Sequence, residues 1–180
     1  YMGTAEALIL GPFGDSIFDE ENQESKNDSS VIIRWTVNGS KLLMGGDASA
    51  HIWRHVDREY SDGELTYDLL LAPHHCSWRT LSQDSSSTCD RPRVLQEAKR
   101  ALSHCEPGAY VIASSKKVKS NDADPPSARA KSQYVDIIGS ADRFICLADT
   151  GSDTRAPEVK KFVLGMSGVA AVTSSASASA

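Results

Sequence analysis

Tyr67-Asp-Leu-Leu-Leu-Ala-Pro-His-His-Cys-Ser77 is a short apolar run that stops abruptly at residues able to bind metals. Leu69, Leu70 and Leu71 run into Pro73, His74 and His75. A second stretch, Leu42-Leu-Met-Gly-Gly-Asp-Ala48, repeats the pattern and ends at Asp47. A buried strand that ends in a glycine turn or in Pro-His-His sets side chains at the end of a sheet, where α/β sites sit. Two such strand ends, one with a carboxylate and one with imidazoles, read as parts of a metal site.

The flanking segments supply the rest of an α/β layout. Glu6–Leu10 reads as a buried strand closed by Gly11-Pro12-Phe13-Gly14, and Asp15–Ser30 as an acidic exposed loop. Val31–Val37 is β-branched and aromatic. Asn38-Gly39 then joins it to Lys41–Met44, a hairpin signal because both turn positions tolerate positive φ. Ala48–Asp57 has helical character, with Ile52, Trp53 and Val56 inward and Ser61-Asp62-Gly63 as its break. Leu65–Ala72 is the strand leading to His74. Arg79–Asp90 reads as a mobile loop, Val94–His104 as an amphipathic helix ended by Pro107-Gly108, and Ala109–Ala113 as a strand. Pro125-Pro126 introduces a helix over Ser127–Ile138 that Gly139 ends. Arg143–Leu147 and Glu158–Leu164 are the last strand candidates. Residues 1–165 are expected to form the folded part and 166–180 a low-complexity tail or linker.

Composition narrows the function classes. The 180 residues suffice for one domain with a real core, and 40% apolar and 24% charged residues are ordinary for a globular chain. A net charge of −5 disfavours a dedicated nucleic-acid binder with a basic surface, though a groove can be locally basic or use metal ions. Cys76, Cys89, Cys105 and Cys146 lie far apart without a CxxC pair. Free thiols in a reducing, cytoplasmic setting are therefore expected, rather than a zinc ribbon or a disulfide framework. The apolar stretches fall short of the roughly 20 residues of a membrane span.

Each chemistry-bearing residue has a plainer alternative. Asp47 is a carboxylate ligand or a helix N-cap before Ala-Ser-Ala. His74 and His75 are metal or anion contacts, imidazole suiting Zn²⁺, Mn²⁺ or Fe, or they are loop histidines. His51 and His55, four apart, have a two-ligand spacing, but a surface face beside Arg54 and Arg58 is the preferred reading. His104 reads as a helix-end histidine. Lys116, Lys117 and Lys119 form a solvated loop or a phosphate contact. Neither a G-x-S-x-G motif nor a P-loop occurs.

Asn27-Asp-Ser-Ser-Val-Ile-Ile-Arg34, Lys41-Leu-Leu-Met-Gly-Gly-Asp-Ala48 and Tyr67-Asp-Leu-Leu-Leu-Ala-Pro-His-His-Cys-Ser77 together resemble the C-terminal half of the metallo-β-lactamase fold. Within that fold the chain looks like the competence-protein (ComEC-like) hydrolases, which read N-D-x-S, G-D-A and D-x-L-x-x-P-H-H-G-S in this order. The resemblance covers about residues 6–150 and implies an αββα sandwich. It also implies metal-dependent hydrolysis, with one or two Zn or Mn ions and a phosphodiester, nucleic acid or nucleotide, as substrate. Asp47 matches the ligating aspartate. His74 and His75 match a pair that includes a ligand, the other stabilising charge on phosphate oxygens. Asn27, Asp28 and Ser29 match a motif taken as structural, and Ser77 and Trp78 are expected to line the pocket.

Three departures bear on this expectation. Cys76 stands where the branch has glycine. Asp124-Pro125-Pro126 stands where the branch often has Gly-His-Pro, so the histidine is missing and Asp124 is no more than a candidate substitute. No H-x-H-x-D-H or H-x-D-x-D-H motif occurs. The expected partner is therefore an N-terminal half carrying H-x-(H/D)-x-D-H, as a separate chain or a removed segment. The alternatives are a degenerate, metal-free interaction or regulatory module and a lactone or β-lactam hydrolase of the same fold.

Overall fold

Asn38 and Gly39 both take positive φ, 50° and 90°, and turn β2 (Ile32–Val37) back onto β3 (Ser40–Met44) as an antiparallel hairpin. The computed structural model describes residues 4–13, 29–84, 89, 91–120, 124–149 and 159–172. β1 (Ala5–Gly11) adds antiparallel to β2. From β3 onward the chain changes habit. β4 (Tyr67–Leu71), β5 (Cys105–Ala113) and β6 (Phe144–Cys146) add in turn as parallel strands. The six-stranded sheet thus runs β1-β2-β3-β4-β5-β6, in chain order.

Parallel neighbours need crossovers, and helices supply them. They are α1 (Ala50–Glu59) with α2 (Asp62–Leu65), then α3 (Gln96–Ala101), then α4 (Ala128–Ile138). Trp53 and Val56 of α1, Ala98 and Ala101 of α3, and Tyr134 and Ile138 of α4 join one buried cluster with Leu43, Leu70, Val111 and Phe144 of the sheet. Tyr134 stacks on Phe144 at 6.4 Å, and Tyr67 donates its hydroxyl to Leu102 O at 2.7 Å. Arg100 of α3 grips Asp57 of α1. On the other face lies a two-stranded sheet, β7 (Lys161–Gly165) and β8 (Gly168–Val172). Phe162 meets Tyr110 edge-on at 5.4 Å, and Ser40 Oγ donates to Gly165 O. The chain is thus α/β, with a mixed sheet and, among the described residues, four α-helices.

Several expected bounds move, each for a local reason. Ser61-Asp62-Gly63 is more than a break. Ser61 and Glu64 close a capping box, so Leu65 ends the one-turn α2 instead of opening β4. Helix α3 opens at Gln96, because Leu95 is extended as its N-cap and donates its N–H to Leu81 O. Pro107-Gly108 does not follow a helix but lies within β5, where both residues are exposed and Pro107's missing donor costs little. Thr80, Leu81 and Ser82, expected in a mobile loop, are buried. β8 occupies residues expected as tail: Gly168 at φ 99° closes a two-residue turn, and Val169-Ala-Ala-Val172 pairs with β7. The expected acidic loop lies outside the described residues except for Ser29 and Ser30, as do residues 173–180.

Gly45 carries the tightest steric demand at the end of β3. A Cβ there would meet Trp53 Cζ2 at 2.5 Å and Pro73 Cγ at 2.7 Å. Both neighbours are wedged in the core, so Gly45→Ala should lower the urea unfolding free energy by about 1–3 kcal/mol. An unchanged urea midpoint would contradict this packing.

Candidate metal centre

The carboxyl ends of β3, β4 and β5 lie side by side, and each delivers one piece of the site. After β3, Gly46 turns at φ 53° and Asp47 follows. Asp47 N–H donates to Ser30 Oγ at 3.2 Å, and Ala48 N–H to Gly45 O at 3.1 Å. Asp47 is therefore not the helix N-cap. Ser49 takes that place, and α1 starts at Ala50. After β4, Pro73–His75 forms one 3₁₀ turn. His74 N–H donates to Gly46 O at 2.8 Å, which ties the two loops backbone to backbone.

The second loop is strained. His74, His75 and Cys76 sit at φ 48°, 55° and 66°, three successive left-handed residues, none of them glycine. Each costs about 1–2 kcal/mol relative to ordinary backbone. Strain of this kind persists only where the surroundings over-determine it. Here the restraints are visible. Ser127 N–H donates to Cys76 O at 2.9 Å, Trp78 N–H to Asp124 Oδ1 at 2.9 Å, and Cys76 N–H to Pro73 O at 3.1 Å. Asp124, the candidate substitute for the missing histidine, thus uses one carboxylate oxygen to hold the loop.

After β5, Ser114 O lies 2.8 Å from His75 Nδ1. A carbonyl only accepts, so Nδ1 carries the proton. Nε2 of neutral His75 then keeps its lone pair, on an exposed ring. A ring nitrogen that donates to a carbonyl is the arrangement that orients ligating histidines. His74 is half-buried, and its Nδ1 is buried with no hydrogen-bond partner among the described residues. The donor types fit a Zn²⁺ or Mn²⁺ ion, while the count falls short. Among the described residues, no three His, Cys, Asp or Glu side chains gather closely enough to hold one. Asp47, His74 and His75 share an edge without forming a three-ligand group.

The neighbouring residues have clear parts. Cys76 is fully buried, and burial, with Cys146 nearby, pushes its thiol up to about 12, so it packs as a neutral group and does not act as a thiolate ligand. All four cysteines are free. Ser77 and Trp78 do not line an open pocket. Both are buried beneath the loop, with Ser77 Oγ accepting from Arg79 N–H. Ser29 is described, whereas Asn27 and Asp28 lie outside the described residues. Reading the sequence missed Ser30 and Ser114. Ser30 had a signal, since it fills the serine of N-D-x-S. Ser114 had only its place one residue past a buried strand, and a carbonyl acceptor leaves no mark in a sequence.

His51 and His55 depart from the expected surface face. His51 is buried, accepts on Nδ1 from Arg54 at 2.9 Å and meets the His55 ring at 4.7 Å. His55 also packs near Phe13. His104 sits after α3 with Nε2 3.7 Å from Asp62. Lys116 and Lys117 are exposed just beyond Ser114, and Lys117 pairs with Asp149 at 3.1 Å. No helix among the described residues is long and apolar enough to cross a membrane. No family model, curated protein or solved structure matches this chain.

The strained turn yields a prediction with an unusual sign. His75→Gly removes a left-handed Cβ from an exposed position and should raise unfolding stability by about 1 kcal/mol over His75→Ala. Urea titration of the two variants measures it, and equal midpoints would refute the strain. A second prediction concerns His55, whose pKa is lowered by burial first, then by the charges of His51, Arg54 and Arg58. The fold thus favours neutral His55. Its contribution is complete above the ordinary value near 6.5 and is lost as pH falls from there through the lower folded value. Urea midpoints between about pH 7.5 and 5.5 should fall for the native chain and fall less for His55→Gln.

Proposed function

We propose that this chain supplies part of the divalent-metal site of a phosphodiester hydrolase of the metallo-β-lactamase type. Asp47 and His75 are ligands in this reading, and His74 is the neighbour that stabilises charge on phosphate oxygens. The observation that carries it is the His75 Nδ1–H donation to Ser114 O, made from a left-handed turn. That bond fixes the tautomer and leaves Nε2 to bind. The joined backbones of Gly46 and His74 hold Asp47 at the same edge.

A bound Zn²⁺ or Mn²⁺ would supply Lewis acidity and a lowered pKa for its water. The chain's own groups do the rest. Asp47 presents a carboxylate from a backbone held on Ser30. His75 presents Nε2. Lys116, exposed on the segment just beyond Ser114, offers an ammonium group to phosphate oxygens, which favours a phosphodiester over a neutral lactam or lactone. The remaining ligands come from a segment carrying the H-x-(H/D)-x-D-H pattern, packed as the other half of an αββα sandwich.

Equilibrium dialysis against Zn²⁺ and Mn²⁺ tests the partial site. Bound metal should fall at least about tenfold in affinity in His75→Ala and in Asp47→Asn, as expected when a ligand is lost. Identical binding by all three proteins would remove the reading. With the complementary segment present, a chromogenic phosphodiester should be cleaved and a chromogenic β-lactam should not.

A further inference from the structure

Helix α4 borders a second concave feature. Between the helix and residues 118–120 lies an open groove of about 620 Å³, which residues 139–141 line beyond the last helical turn. Small-molecule sites have volumes of this order. Asp47, His74 and His75 do not line it, so the groove is argued independently of any metal.

Part of its lining is apolar. Val118 and Val135 pack inward on the core cluster and are only half-buried, each keeping a side toward the groove. Apolar surface left wet in a recess gains by being covered. The charge in the groove is positive. Lys131 contributes from α4 and Lys119 from the opposite wall. The Nζ of half-buried Lys131 lies 5.4 Å from the centroid of the Phe144 ring. A ring face attracts an ammonium and fixes its position, yet brings no net charge to cancel it. Among the described residues no carboxylate forms an ion pair with Lys131. Asp136, the one carboxylate in the described lining, is already paired with Lys99 at 3.2 Å. Ser120 and Ser140 add hydroxyl donors, whereas Ser132 gives its own to Ala128 O at 3.1 Å.

We infer that this groove binds a small organic anion, whose carboxylate or phosphate head meets Lys131 and Lys119 while its apolar side lies on Val118 and Val135. Other occupants fit less well. Inorganic phosphate satisfies the ammonium groups but leaves most of the groove and both valines wet. A neutral apolar molecule makes no use of the lysines. A cation is repelled by them, since the carboxylate that could hold it is engaged by Lys99. The ligand is therefore recognised by two features at once, a charged head and an apolar body.

Titration followed by amide NMR tests this on the protein without any metal. The probes are phenyl phosphate, 3-phenylpropionate and inorganic phosphate. Saturable shifts are expected at the amides of Lys131, Ser132 and Val135 with at least one of the two organic anions, and the tighter of the two names the head. Inorganic phosphate should bind at least about tenfold more weakly than the organic probe, because it covers no apolar surface. Lys131→Gln should weaken binding about tenfold by removing a charged donor. Lys161→Gln, exposed on β7, should leave it unchanged. Ser132→Trp, at an exposed lining position, should block the groove and abolish binding, with circular dichroism to check that the fold survives. The absence of saturable shifts with both organic anions would overturn the proposal. So would an affinity indifferent to Lys131→Gln and Ser132→Trp, or inorganic phosphate binding as tightly as the organic probe.

Discussion

The 2.8 Å hydrogen bond from His74 N–H to Gly46 O joins two strand ends that the sequence holds 28 positions apart. It requires Gly45 to have no side chain, because Trp53 and Pro73 close over that position. Gly46 must also turn with positive φ. Once the bond is made, Asp47 and the His74-His75 turn share one edge, and the loops from β5 and the start of α4 brace them. Remove the close approach at Gly45 and the candidate site separates into two unrelated loops.

The turn that carries the histidines works against the preference of its own residues. Three left-handed side chains in succession do not arise from local propensity. Backbone donors at Ser127, Trp78 and Cys76 hold them in place. Burial of Cys76 contributes as well, since its side chain fills core space that a glycine would leave empty. Stability is therefore given up at the residues that face outward and recovered in the packing beneath them.

The sheet was legible where local chemistry and tertiary demand agree. Ile32–Val37, Asn38-Gly39 and the run to Met44 carry β-branched residues, a turn pair and an abrupt glycine stop. Each points the same way. The misread pieces are those where a distant partner decides. Helix α3 opens two residues late because Leu95 is held extended against Leu81. Leu65 belongs to α2 because Ser61 and Glu64 cap it. β8 forms because β7 is there to pair with, although its Gly-Val-Ala-Ala-Val sequence looks featureless. For the site, residue types marked Asp47, His74 and His75, but the elements that orient them are a serine hydroxyl and a backbone carbonyl. Neither is distinctive in sequence.

The spatial order of the six strands is also their order along the chain. No strand has to be threaded between two neighbours already paired, so each addition extends an existing edge. The sheet is thus suited to assembly in the direction of synthesis, with the antiparallel β1–β2–β3 portion in place as a template before the first crossover helix emerges. The costlier parallel pairings then each close a loop against a ready surface, and the edge left open last is the short β6.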